Sequence, residues 1–68
     1  MDPNANLKDQ EALLAIPAKQ RQSYQRDRLH ELRIALTGWI RGGGFEPDWA
    51  TCPLASSYYH KHGTAVQS

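Results

Sequence analysis

Between residues 24 and 40 the apolar side chains recur at steps of three and four: Leu29, Leu32, Leu36 and Trp39, with Ala35 and Ile40 beside them. At about 100° per residue, with Leu32 set at 0°, they fall between roughly −60° and 80°. This is one broad face of a helix, and nothing in the window alternates as a half-buried strand would. The spacing is also that of a helix-bundle seam. Toward the N-terminus the same arc passes to Arg28 and Arg21. The second half of the helix therefore demands burial, whereas the first half offers charge and long methylene stems that lie along a neighbour. Gly38 interrupts the pattern at a cost of up to about 1 kcal/mol relative to Ala and reads as a tolerated residue.

The long pattern stops at Gly42, Gly43 and Gly44, which suit a left-handed C-cap and a reversal of direction, and Glu46, Pro47 and Asp48 suit a type I turn. Cys52 followed by Pro53 suits the opening of a short third helix, with Thr51 or Cys52 at the cap and Gly63 just past its end. Upstream, Asp2 before Pro3 reads as a helix start with Pro in the first turn, Asn4 or Asn6 would cap equally well, and from Leu7 to Ile16 Leu7 and Leu14 share a stripe with Leu13 to the side, which predicts a short first helix of about three turns. Pro17 removes a backbone donor and biases Ile16 out of the α region, so this helix stops or kinks there. The long helix is then expected to begin near Ala18, as an antiparallel hairpin or as a bent continuation of the first.

The expected fold is all-α: a short helix, a long central amphipathic helix, a glycine-rich reversal and a short C-terminal helix, forming a helical hairpin or three-helix mini-domain. Residues 1–63 form one domain and residues 64–68 a polar flexible tail. The first helix would span about 15 Å against roughly 36 Å for the second. The apolar face over residues 29–40 therefore needs another cover, and the C-terminal segment brings Phe45, Trp49, Leu54, Tyr58 and Tyr59.

Charge sharpens the packing. Residues 1–16 carry one Lys against three acids (−2), residues 17–41 carry six Lys or Arg against two acids (+4), and the remainder carries one Lys against two acids (−1), giving the net +1. An acidic first segment beside a basic second one favours their pairing, with Asp9 and Glu11 near Arg21, Arg26 and Arg28. Sixty-eight residues hold one core, which at this size supplies about 3–5 kcal/mol. The single cysteine, Cys52, forms no internal disulfide. Met1 followed by polar residues suggests a complete small reading frame without a secretory leader, and no apolar run approaches the length of a membrane span. A soluble cytoplasmic protein with no membrane partner is expected.

Chemistry is sparsely marked. Cys52, His60 and His62 with His30 do not make a closed zinc site, and no marker of an oriented base or oxyanion site accompanies the thiol. No catalytic residue, metal ligand or cofactor is expected, and the chain reads as a non-enzyme. The aromatics Trp49, Tyr58 and Tyr59 either complete the mini-core or anchor a partner protein, since Trp, Tyr and Arg dominate interface hot spots. Tyr58 and Tyr59 point about 100° apart on a helix, so they are not both fully buried. The basic residues Lys19, Arg26 and Arg33 recur every seven positions and form a ridge that would track phosphates. The sequence thus predicts a small interaction or regulatory protein that binds another macromolecule, an unidentified protein or a second copy of itself. The alternative is a nucleic-acid-binding accessory protein that uses the ridge of Lys19, Arg26 and Arg33.

Overall fold

A computed structural model describes the backbone of residues 1–66 and the side chains through residue 61. The fold is all-helical, with α1 (Pro3–Leu14), α2 (Ser23–Arg41) and α3 (Pro53–Val66) as its α-helices and single 3-10 turns at Ala18–Gln20 and Trp49–Thr51. Among the described residues there is no strand.

α1 starts at Pro3 because Asp2 caps it: Oδ1 accepts from the backbone N–H of Asn4 at 3.0 Å and of Ala5 at 3.3 Å. With Asp2 in that role, Asn6 is free for burial. Its Nδ2 donates to the Leu32 carbonyl at 3.0 Å, and its Oδ1 accepts from Gln10 Nε2 at 2.6 Å. Gln10 is itself fully buried, and its Oε1 has no hydrogen-bond partner among the described residues. These contacts make α1 and α2 an antiparallel hairpin: Asn6 meets Leu32, while Asp9, Ala12 and Leu13 share a recess with Arg28 and Leu32.

The connection corrects the expected start of α2. After Pro17 (ψ 139°) the chain makes one 3-10 turn, Arg21 is extended, and α2 begins only at Ser23, where Gln22 and Gln25 form a reciprocal capping box. Arg21 explains the delay. Its Nε donates to the carbonyls of Leu13 and Ile16, both at 3.1 Å, and its Nη2 donates to that of Leu14 at 3.5 Å. A guanidinium thus adds donors to the carbonyls at the end of α1, at the negative end of its dipole.

The expected pairing of Asp9 and Glu11 with Arg21, Arg26 and Arg28 is not the one formed. Arg26 donates to the Arg21 carbonyl, and Arg28 lies 3.8 Å from Glu31 in an exposed pair. Glu11 turns instead to α3. Its Oε1 accepts from the Ala55 N–H at 2.7 Å and its Oε2 from the Leu54 N–H at 3.4 Å. A carboxylate from another helix therefore caps the first turn of α3, where unpaired donors and the positive dipole end favour it. Asn4 Oδ1 likewise accepts from the Asp48 N–H at 2.7 Å. Asn4 with Asp48 and Glu11 with Ala55 set the two segments side by side and parallel.

The core is the cluster of Leu7, Leu36, Cys52 and Ala55, with Leu14, Trp39, Ile40, Trp49 and Tyr59 packed around it. The C-terminal segment thus helps cover the second half of α2. So does α1, contrary to the length argument, because its N-terminal end lies beside the C-terminal end of α2. At the reversal Gly43 adopts φ 91°; its N–H donates to the Ile40 carbonyl, and the Gly44 N–H to that of Trp39 at 2.9 Å, the paired bonds of a Schellman motif. The Trp39 indole lies across Gly44, leaving no room for a Cβ, and its Nε1 donates to the Phe45 carbonyl at 2.8 Å. The type I turn expected at Glu46, Pro47 and Asp48 is absent. Residues 44–48 are irregular, and the turn falls at Trp49–Thr51, capped by Asp48 through the Ala50 N–H. α3 runs past Gly63, its expected end, to Val66, and residues 67 and 68 of the expected tail lie outside the described residues.

Candidate interaction surface

Two of the aromatic candidates, Trp49 and Tyr59, cluster with His60 beside the core. Trp49 lies 5.1 Å from Tyr59 and 4.5 Å from His60 between ring centroids, and its Nε1 donates to Glu46 Oε1 at 3.0 Å. His60 is held in turn by the Ser56 carbonyl, 2.7 Å from its Nδ1. Trp49, Tyr58 and Tyr59 are all half-buried. The two tyrosines share exposure as the helical geometry requires, and Trp49 and Tyr59 pack against the core as a lid with edges at the surface. Phe45 is the more exposed ring, at 62%, and touches Trp39 edge to face.

The basic residues do not share one ridge on one helix. Lys19 sits on the 3-10 turn before α2, and Arg26 is exposed but donates to the Arg21 carbonyl and lies 3.5 Å from Ser23 Oγ. Arg33 is buried to 7% exposure, with its Nη2 donating to His30 Nδ1 at 3.2 Å. Cys52 is buried, with Thr51 Oγ1 3.6 Å from its sulfur. His30 and His60 belong to different helices, and the side chain of His62 lies outside the described residues. No group of three or more His, Cys, Asp or Glu side chains among the described residues is placed to hold a metal ion. No helix among them is long and apolar enough to cross a membrane.

Another recess lies on the side of α2 turned away from α1. His30, Arg33, Ile34, Thr37, Gly38 and Arg41 line a groove of about 410 Å³. These positions recur at three and four along one helix face, about 100° to 240° from Leu32. Ile34 is 53% exposed at its centre, and a Cβ built on Gly38 would meet nothing within 4 Å. The glycine therefore serves no close approach within the monomer. It leaves a flat stretch beside an uncovered apolar side chain. The lining set carries two guanidinium groups and no carboxylate.

Neither Ile34 nor Gly38 stood out as a site residue in the sequence, although the signal was present. Ile34 falls about 200° from Leu32, an apolar residue in the middle of the polar face, where a solvated helix has no use for it. Comparison with models of known protein families, with curated proteins and with solved structures found no match to this chain, so its function has to be read from these residues alone.

Proposed function

We propose that this chain is a small non-enzymatic interaction or regulatory protein of the cytoplasm, and that it acts by docking a helical segment of a protein onto the outer face of α2. One observation carries this reading: the groove of His30, Arg33, Ile34, Thr37, Gly38 and Arg41 sets an exposed apolar side chain and a glycine floor beside the exposed guanidinium of Arg41. An amphipathic helix with an apolar anchor and a nearby carboxylate matches that surface in shape and sign. Nucleic acid fits it less well. The basic side chains are dispersed, Arg33 is buried, the net charge is only +1, and Trp49 and Tyr59 are packed together on α3's side of the fold. Sequence-independent phosphate binding calls for a continuous row of exposed cations.

The test is site-directed photo-crosslinking in the native cells. A photoreactive amino acid at Ile34 is expected to give discrete protein adducts, and the same probe at exposed Ser57 none. Nucleic-acid adducts at Ile34, or equal labelling at both positions, would refute the reading.

A further inference from the structure

Resting on that reading, we infer that the segment that docks on α2 is α2 of a second copy, running antiparallel, with Ile34 of the two copies meeting at a twofold axis. The face is self-complementary about this residue. Asp27 lies seven residues before Ile34 and Arg41 seven after it, so both stand about 10 Å from it along the axis and within about 20° of it around the helix. His30 lies four before and Gly38 four after, each about 6 Å away. In an antiparallel pair Asp27 of one copy comes level with Arg41 of the other, twice, and each His30 comes level with the open space at Gly38 of its neighbour.

A twofold interface requires this: one patch that complements itself. The monomer leaves the groups available. Asp27, His30, Ile34, Gly38 and Arg41 are all exposed, and the one ion pair within 4 Å among the described residues is Arg28 with Glu31. The other charged groups on or beside the face are accounted for: Glu31 is held by Arg28, and Arg33 is buried against His30. The stripe of Asp27, His30, Ile34, Gly38 and Arg41 sums to zero formal charge with His neutral, which suits a copy of itself better than a polyanion. The 19 residues of α2 give a contact about 28 Å long, at the small end for a stable interface, so association in the micromolar range is expected.

Sedimentation equilibrium of the whole chain tests this by charge exchange. Wild type at on the order of 5–500 μM is expected to move toward twice its 7.7 kDa mass, less strongly at high salt. Asp27→Arg alone places four arginines across the interface and Arg41→Asp alone four aspartates; each is expected to weaken association at least about tenfold. An equimolar mixture restores both attractive pairs and is expected to recover association. Both residues are exposed, so helical circular dichroism should be unchanged in each variant. Wild type that stays monomeric, or a mixture no stronger than its components, would overturn the inference. If crosslinks from Ile34 then lead to a different protein, only the second copy is refuted; if no protein adduct forms, the docking reading falls with it.

Discussion

Replacing Glu11 with Ala tests the way the three helices are tied together. The side chain accepts two backbone N–H groups at the start of α3, at 2.7 Å from Ala55 and 3.4 Å from Leu54. Only the first is short and fully formed, so the loss resembles that of one good N-cap, about 1 kcal/mol, plus up to about 1 kcal/mol for the negative charge at the dipole end. A total of about 1–2 kcal/mol is a large part of the roughly 3–5 kcal/mol that a core of this size supplies. It corresponds to a fall in Tm of about 4–16 °C for a domain of 60–100 residues. Glu11→Gln keeps an acceptor and loses the charge, so it should fall between wild type and Ala. Thermal melts followed at 222 nm give the ordering. Amide exchange gives the location: Leu54 and Ala55 should exchange faster in Glu11→Ala than residues in the middle of α2. A loss below about 0.3 kcal/mol, or exchange at Leu54 and Ala55 equal to wild type, would refute the tertiary cap.

The other predictions use the same melts. Gly44→Ala puts a Cβ into the Trp39 indole and should cost about 1–3 kcal/mol, with a change in tryptophan emission as the ring is displaced. Gly38→Ala meets nothing and improves helix propensity, so it should raise stability by up to about 1 kcal/mol; a destabilised variant would mean that the position is not open. Arg21→Ala strips the guanidinium from the carbonyls of Leu13, Leu14 and Ile16 and should cost about 1 kcal/mol, with α1 fraying from its C-terminal end by amide exchange.

The helices themselves were legible because their signals are local. The three-four spacing of Leu29, Leu32, Leu36 and Trp39, the break at Pro17 and the glycine triplet all act within one or two turns of chain, and the three helices form in the expected order, with α2 starting at Ser23 and not at the expected Ala18. What the sequence hid was long-range polar bonding. Asn6 to Leu32, Asn4 to Asp48 and Glu11 to Ala55 span 26, 44 and 44 positions, and no local pattern distinguishes a buried Asn or a capping Glu from a solvated one. Segment charge misleads for a related reason. It counts Arg21 and Glu11 as partners for opposite charges, whereas both are spent on backbone groups at helix ends. The candidate surface was half legible. Trp49 and Tyr59 were found as aromatics but belong to the lid of the core, and Ile34 was the apolar residue that the seam could not use.

We propose that the outer face of α2 is the surface on which a second copy of this chain docks. Amide chemical shifts recorded on dilution from about millimolar to micromolar concentration test it most directly, because they report which residues sense association in the millimolar-to-micromolar range of Kd. The account predicts concentration-dependent shifts at Asp27, His30, Ile34, Gly38 and Arg41, with Trp49, Tyr58 and Tyr59 unmoved. Shifts centred on those three aromatics, or a spectrum unchanged by dilution, would contradict it.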